Sequence, residues 1–118
     1  MIATYKDLEV YKQSYSLALK IHEITRKYPE FERYEIGNQM RRAAISIPLN
    51  IAEGYGKKES VIEFKRFLKI SMGSCNEMLV LLDLSKDLGY IKSEQHEELT
   101  KCYEIMGKRL NALNQKWK

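Results

Sequence analysis

Apolar residues recur every three or four positions along most of the chain, a period typical of amphipathic α-helices. In the first segment the apolar stripe comprises Val10, Leu17, Ile21, Ile24 and Tyr28. Asp7 can cap the N-terminus of this helix. Pro29 ends it, because a proline ring disfavours helical geometry in the residue before it. The pattern therefore predicts a first helix from about Asp7 to about Tyr28.

A second helix is predicted from about Glu32 to Tyr55, and Pro48 lies inside it. Its inward-facing residues are Ile36, Met40, Ala43, Ala44, Ile47 and Ile51. A proline within a helix removes one backbone hydrogen bond and clashes with the carbonyl group four residues earlier. Because the apolar period continues in phase across Pro48, the pattern favours one kinked helix over two separate helices. Gly54 and Gly56 mark its end.

Two further helices follow, each with a start signal. Ser60 and Glu63 form an S-x-x-E capping box for the third helix, and Gly89 ends it. Ser93 is the predicted cap of the fourth helix. The buried face of the third helix comprises Phe64, Phe67, Leu68, Ser71, Cys75, Met78, Leu79 and Leu82. That of the fourth comprises Leu99, Cys102, Met106, Leu110, Leu113 and Trp117.

Helices of similar length joined by short connections favour antiparallel neighbours. A length of 118 residues fits one domain. We therefore predict an all-α fold in which residues 1–118 form a single antiparallel up-and-down four-helix bundle, with its second helix kinked at Pro48.

Composition narrows the class of protein further. The hydrophobic content of 44% is too high for a disordered chain, and six Gly and two Pro are too few for an all-β domain. The longest uncharged run, residues 43–52, is far shorter than the roughly 20 residues of a membrane span. The first residues show no secretory signal pattern, and Cys75 and Cys102 are too few for a disulfide framework. We expect a cytoplasmic protein, with no membrane partner and with both cysteines acting as small hydrophobic residues.

Few residues could support catalysis. His22 and His96 lie on different helices, and no H-x-x-x-H, E-x-x-H or C-x-x-C motif supports a metal site. Cys102 and His96 are six residues apart on one helix, hence on nearly opposite faces. Residues 54–58 form a basic two-glycine turn before a helix; it could hold an anion, but a plain helix connection is the favoured interpretation. We predict no catalytic residue, metal or cofactor, and hence no enzyme.

Positive charge is concentrated in two segments. Between Arg41 and Lys69 there are seven basic and three acidic residues, and no acidic residue follows Glu104. Basic clusters on a helical scaffold are typical of proteins that bind a phosphate backbone. The candidate nucleic-acid-binding residues are Arg41, Arg42, Lys57, Lys58, Lys65, Arg66, Lys69, Lys108 and Arg109, with Lys116 and Lys118 extending the second cluster. The alternative is an ordinary solvated helix surface.

Polar residues also occur inside the apolar stretch of the second helix. Asn50 and Glu53 are one turn apart, and Arg41 precedes the stretch. Because buried polar groups need hydrogen-bond partners, we predict a structural or interface network of Arg41, Asn50 and Glu53. Tyr55, flanked by glycines and followed by lysines, is a candidate for stacking on a nucleobase.

The string from Gln39 to Gly56, QMRRAAISIPLNIAEGYG, closely resembles the signature of the four-helix-bundle proteins encoded in intervening sequences of bacterial 23S rRNA genes. The segments YKDLEVY at Tyr5, EFKRFL at Glu63 and LGYI at Leu88 also resemble that family, so the similarity covers nearly the whole chain. Leu49 departs from the small residue expected between Pro48 and Asn50, at a plausible helix or subunit contact.

The resemblance implies an antiparallel four-helix bundle that assembles as a homopentamer, without enzymatic activity or a cofactor. It also implies kinship with the accessory variability protein of diversity-generating retroelements, whose basic surface engages reverse transcriptase and nucleic acid. The first hypothesis is therefore a non-enzymatic oligomer that binds RNA or DNA through its basic clusters. The alternative is a scaffold that recruits a protein, for example a polymerase, without binding nucleic acid itself. An enzyme with a site assembled between subunits is the third hypothesis.

Overall fold

The computed structural model describes residues 1–118 and contains helices but no strands. A 3-10 turn, Tyr5–Asp7, comes first. The α-helices are α1, Glu9–Thr25; α2, Glu30–Arg33; α3, Ile36–Gly56; α4, Val61–Asp87; and α5, Ser93–Lys116. The four long helices α1, α3, α4 and α5 confirm the predicted all-α four-helix bundle, which measures 44 × 23 × 22 Å. No helix combines the length and apolarity needed to cross a lipid bilayer.

The long helices pack in chain order, so that α3 lies between α1 and α4, and α4 lies between α3 and α5. Since consecutive long helices run antiparallel, α3 and α5 end where α4 begins. Two contacts show this: the rings of Phe64 and Trp117 lie 4.6 Å apart, and the Asn114 side-chain amide donates to the Lys65 carbonyl at 3.0 Å. We call this end of the bundle the Lys57 end and the opposite one, which contains α2, the Glu30 end.

The core is built from the apolar stripes that the sequence predicts, except that on α5 Tyr103 is fully buried whereas the predicted Cys102 is only half-buried. The largest fully buried side chains are Tyr103, Phe64, Ile21, Met40, Ile47, Ile51, Leu68, Met78, Leu82, Leu99, Met106 and Leu110. Several predicted core residues, including Leu17, Ile24, Leu79 and Leu113, pack against this cluster while remaining partly exposed. Burying apolar area of this kind is the main favourable contribution to folding.

The start of the first helix differs from the prediction. The carboxylate of Asp7 accepts hydrogen bonds from the backbone N–H groups of Ala3, at 2.8 Å, and Thr4, at 3.0 Å. Asp7 therefore closes the separate 3-10 turn, and Leu8 occupies the N-cap position of α1 without a side-chain hydrogen bond. The same two bonds lower the pKa of the Asp7 carboxyl, because they stabilise its charged form.

The connection between the first two long helices is also more elaborate than predicted. Helix α1 ends at Thr25 rather than near Tyr28. The predicted start at Glu32 falls inside α2, a single turn that follows Pro29, and α3 begins only at Ile36. The reason is the backbone of Glu35, whose φ of −108° and ψ of −97° are not helical. The predicted second helix is thus a short turn and a long helix.

The caps of the last two helices follow the prediction in part. Ser60 accepts a hydrogen bond from the Glu63 N–H at 3.3 Å, but the Glu63 carboxylate does not return to the cap as a capping box requires. Gly89 does end α4: its φ is +83°, a conformation that side chains other than glycine rarely adopt. Ser93 is wrong as the cap of α5, because Lys92 occupies that position and its N–H donates to the Gln95 side chain at 3.0 Å.

Helix α3 is continuous across Pro48, as the unbroken apolar period predicts. Pro48 is buried within it. The bend at this proline stays a prediction.

Gly54 allows α3 and α4 to approach closely at the Lys57 end. A Cβ atom at this position would lie 2.7 Å from the Phe67 Cβ and 3.0 Å from a Phe64 ring carbon. The Phe67 Cβ is fixed to the α4 backbone, so it cannot move aside without shifting the helix. The close approach of α3 and α4 therefore depends on the absence of a side chain at Gly54, and not on an unusual backbone conformation of this glycine.

We expect Gly54→Ala to lower the free energy of unfolding by about 1–3 kcal/mol, the usual cost of overpacking. Gly107→Ala is the matched control, since its new Cβ would approach only the Cys75 Cβ, at 4.0 Å. It should be neutral or stabilising by up to about 1 kcal/mol, because alanine favours helix. Urea denaturation at one protein concentration measures the free energy of unfolding of both variants. Equal stabilities for the two variants would contradict the close contact at Gly54.

Candidate nucleic-acid interface

Charge is distributed unevenly between the two ends of the bundle. The half of each long helix nearest the Lys57 end, with its connections, comprises residues 1–17, 46–74 and 105–118. These segments carry eleven Lys and Arg against five Asp and Glu, whereas the remainder carries nine against eleven. The net charge is thus +6 in one half and −2 in the other, although the whole chain carries only +4.

Folding unites the two basic clusters that are separate in the sequence. Seven of the candidate residues lie in the half nearest the Lys57 end: Lys57, Lys58, Lys65, Arg66, Lys69, Lys108 and Arg109. All are exposed except Lys65, which is half-buried beside α5. Arg41 and Arg42 lie in the first two turns of α3, toward the Glu30 end. The geometry therefore separates these two arginines from the other candidates.

Arg41 is held by hydrogen bonds to other parts of the bundle, unlike the exposed candidates at the Lys57 end. Its guanidinium donates one hydrogen bond to the Thr25 hydroxyl, at 3.1 Å, and another to the Arg33 carbonyl, at 2.7 Å. Thr25 is buried, and its hydroxyl donates to the Ile21 carbonyl at 2.8 Å. The side chain of Arg41 thus connects the end of α1 to α2 and α3.

The predicted network of Arg41, Asn50 and Glu53 does not form. The Asn50 amide donates to the carbonyl and the hydroxyl of Ser46, at 2.7 and 3.0 Å, and the Ser74 hydroxyl of α4 donates to the same Ser46 hydroxyl. Glu53 is exposed and lies 4.0 Å from the Lys57 ammonium. The three residues have separate partners because about two and a half helical turns separate Arg41 from Asn50, and Glu53 faces solvent.

Aromatic rings lie directly under three cations at the Lys57 end. The Lys58 ammonium lies 3.9 Å from the centre of the Tyr55 ring, and the Lys57 ammonium lies 5.0 Å from that of Phe67. The Arg66 guanidinium lies 4.5 Å from the same Phe67 ring. The ring of Tyr55 is only 8% exposed and also packs edge-on against Phe64 and Trp117. The predicted stacking of Tyr55 on a base is therefore wrong, because its ring is buried and Lys58 covers it.

Two of these cations also have carboxylate partners. Arg66 donates to both oxygens of Glu63, at 3.0 and 3.3 Å, and Lys57 is near Glu53. The Arg66 hydrogen bond lowers the pKa of the Glu63 carboxyl, and the pair raises the pKa of Arg66. No Asp or Glu lies within salt-bridge distance of Lys58, nor of the candidates Lys65, Lys69, Lys108 and Arg109.

The residues considered for catalysis lie apart. His96 is near the Glu30 end and pairs with Asp83 at 2.7 Å, whereas a His22 ring nitrogen lies 3.0 Å from the Ala18 carbonyl on its own helix. Burial raises the pKa of the Cys75 thiol to about 12, so it carries little thiolate at neutral pH. No group of three or more His, Cys, Asp or Glu side chains could hold a metal ion.

Tyr103 is among the buried polar residues that the sequence analysis did not predict. Tyr103 is fully buried between the helices, and its hydroxyl has no hydrogen-bond partner. Burial raises its pKa well above the usual value. Tyr103 directly follows Cys102 and lies three residues before Met106. The helical period could therefore have predicted that it belongs to the buried face of α5.

An apolar groove of about 360 Å³ runs between α1 and α3. Tyr15, Leu19 and Leu49 line it and remain exposed, Leu49 by 62% of its surface. A second exposed apolar surface follows the outer side of α4 and comprises Ile70, Val80, Leu84 and Leu88. We call these the α1–α3 groove and the α4 stripe. Leu49, the residue that departs from the expected small side chain, thus lies on the surface and not in a contact within the bundle.

The model of the 23S rRNA-intervening sequence protein family matches residues 6–112, which is most of the chain. The chain belongs to this family. A solved structure from Bacteroides thetaiotaomicron, described as a protein with unknown function from the S23 ribosomal protein family, has the same fold with a TM-score of 0.82. It shares 25% sequence identity, and the alignment covers 91% of this chain and 96% of the other. No curated protein matches the chain in sequence.

Membership of the 23S rRNA-intervening sequence protein family agrees with the resemblance carried by the QMRRAAISIPLNIAEGYG string. In the structure this string forms most of α3, which includes Arg41, Pro48 and Gly54. At these positions the structure shows a hydrogen-bonded arginine, a buried proline and a close helix contact, all of which serve packing. Nothing in the family or in the similar structure indicates an enzymatic activity.

We expect Arg41→Gln to lower the free energy of unfolding by about 1.5–3 kcal/mol, since hydrogen bonds to charged groups contribute that much. Arg42→Gln is the matched control, because Arg42 is adjacent, exposed and without a hydrogen bond to its side chain. It should change stability by less than about 0.5 kcal/mol. Thermal or urea unfolding measures the stability of both variants, and equal losses of stability would contradict a structural role for Arg41.

Proposed function

We propose that the chain is a non-enzymatic, self-associating helical bundle that binds RNA or DNA with its Lys57 end. The observation that carries the proposal is the charge of that half of the bundle, eleven basic against five acidic residues. Five candidate cations there have no carboxylate partner. When such cations contact phosphates, they displace the counterions that surround the nucleic acid. The affinity for nucleic acid therefore falls as the salt concentration rises.

The dimensions of the bundle favour binding at one end. At physiological ionic strength the Debye length is about 8 Å, much less than the 44 Å length of the bundle. A phosphate backbone at the Lys57 end would therefore be screened from the acidic Glu30 end. The local charge of that half, rather than the modest net charge of the chain, would determine the attraction.

The proposed assembly uses the two exposed apolar surfaces. The α1–α3 groove is concave, and the α4 stripe belongs to a convex single helix on another side of the bundle. A contact between two different surfaces is head-to-tail, and it forms a closed ring when the rotation closes. We propose that the part of the α4 stripe around Ile70, which lies in the same half of the bundle as Leu49, occupies the α1–α3 groove of the next copy, with the five subunits that the family resemblance implies.

A ring with its axis along the bundles would place every Lys57 end on one face. The charge of that face would then be several times that of one chain, which would strengthen the attraction for a polyanion. We propose the cytoplasm as its location, where both free thiols stay reduced and nucleic acid is available.

We expect reversal of Lys57, Lys58, Lys65 and Arg66 to Glu to abolish nucleic-acid binding while the helix content stays unchanged. The control reverses the same number of exposed basic residues near the Glu30 end: Arg26, Lys27, Lys86 and Lys101. Both variants change the net charge equally, so only position differs. Fluorescence-anisotropy titration of labelled RNA and DNA at several salt concentrations is the measurement.

Loss of binding in both reversal variants alike would show a dependence on net charge alone and would contradict an interface at the Lys57 end. Wild-type protein that binds no oligonucleotide at low salt would overturn nucleic-acid binding altogether. In that case, co-purification of one defined protein would favour a scaffold for a protein partner.

We expect Leu49→Glu and Ile70→Glu each to dissociate the assembly to a single chain of 13.9 kDa, because a charge would be buried without a partner. A mixture of the two variants should form a dimer and no larger species, since only one intact groove and one intact stripe remain to pair. Phe31→Glu, at an exposed apolar residue outside both surfaces, should keep the wild-type mass. Native mass spectrometry distinguishes these masses, and wild-type assembly in either single variant would overturn the head-to-tail contact.

A further inference from the structure

The turn between α3 and α4 holds its cations more firmly than other parts of the surface. Lys57, Lys58 and Arg66 each rest on the face of an aromatic ring, at 3.9 to 5.0 Å from the ring centre. Both rings, those of Tyr55 and Phe67, are buried and therefore fixed in place. By contrast, no such ring contact holds Lys69, Lys116 or Lys118.

The fixed rings follow from the close contact between α3 and α4. Because Gly54 has no side chain, the end of α3 packs directly against the Phe67 Cβ. This brings Lys57, just after α3, over the Phe67 ring. Arg66, the neighbour of Phe67 on α4, lies over the same ring. A long cationic side chain loses conformational freedom when it binds a ligand, and prior placement on a ring reduces that loss.

The first turn of α4, directly after this connection, has backbone donors without partners in the protein. The Ser60 hydroxyl accepts the Glu63 N–H, whereas the N–H groups of Val61 and Ile62 donate to no atom of the protein. Free amides at the start of a 27-residue helix carry the positive end of its dipole. The turn thus combines three positioned cations with two unused backbone donors.

Carboxylates partly neutralise this arrangement. Glu63 holds Arg66 through two hydrogen bonds, and Glu53 lies 4.0 Å from Lys57. Lys58 has no carboxylate partner, so it is the cation most available to an incoming anion. A phosphate that takes the Nε and Nη2 donors of Arg66 would have to displace Glu63.

We propose that Lys57, Lys58 and Arg66 form the principal phosphate-contact site of the Lys57 end, and that its ligand is a backbone phosphodiester of nucleic acid. This inference rests on the proposed function, which concerns the whole end of the bundle. It adds that one turn contributes more than the surrounding lysines, and that Glu63 competes with the ligand.

The first test removes one charge at two places on the same end. Lys58→Gln should weaken binding of a labelled 20-nucleotide RNA by about five- to ten-fold and lower the salt slope by about 0.7, the value for one phosphate contact on a single strand. Lys116→Gln, an exposed lysine with no ring or carboxylate contact, should weaken it by less than about two-fold. Equal losses would overturn the inference while leaving the proposed function intact, whereas wild-type protein that does not bind would overturn both.

The second test frees Arg66 from its partner. Glu63→Gln should tighten RNA binding by about three-fold or more, because Arg66 becomes available to the phosphate. Glu59→Gln removes the same charge from the same turn, where Glu59 forms no ion pair, and should have the smaller effect. If Glu59→Gln tightens binding as much as Glu63→Gln does, general electrostatics suffices and competition by Glu63 is wrong.

The third test concerns the positioning role of the Phe67 ring. Phe67→Leu keeps an apolar side chain and every charge, so it should weaken RNA binding by about three- to ten-fold without changing the salt slope. An unchanged affinity in a folded Phe67→Leu variant would overturn the role of the ring. Inorganic phosphate at equal phosphate concentration should displace RNA poorly, and efficient displacement would show a site for free phosphate instead of a nucleic-acid backbone.

Discussion

The close contact between α3 and α4 at Gly54 is the constraint on which the Lys57 end depends. It brings the α3 backbone against Phe64 and Phe67, and the Phe64 ring in turn packs edge-on against Tyr55 and Trp117. The result is an aromatic layer at the end of the core, with cations on its outer side. Without that layer, the lysines of the turn would be flexible side chains in solvent with no defined relation to one another.

The antiparallel order of the helices gives the second general feature, a separation of charge along the bundle. Basic residues that are about forty positions apart in sequence, such as Lys69 and Lys108, belong to the same half because α5 returns to the level where α4 begins. Electrostatic attraction in salt solution is local. Separation of charge by the fold therefore matters more for a polyanionic partner than the net charge of +4.

Much of the fold could be predicted, and the errors have physical causes. Amphipathic periodicity places Ile21, Ile47 and Leu110 in the core, because burial of a whole helix face leaves a strong and repeated signal. The caps are harder: Asp7 and Ser93 are good N-cap residue types, yet each lies one position from the observed cap. A cap depends on a single local hydrogen bond, and a neighbouring 3-10 turn or loop residue can provide that bond instead.

The sequence by itself determined the number of long helices, the face that each buries and the family. These properties depend on a period of 3.6 residues and on a specific string in α3, which can both be read along one dimension. Only the tertiary structure decided what each polar side chain contacts. Arg41 binds Thr25 and Arg33, Lys58 covers Tyr55, and the two basic clusters, apart from Arg41 and Arg42, lie in the same half of the bundle. The physical reason is that periodicity shows which side of a helix is buried, whereas hydrogen bonds and ring contacts depend on the neighbouring helix and on its height along the bundle.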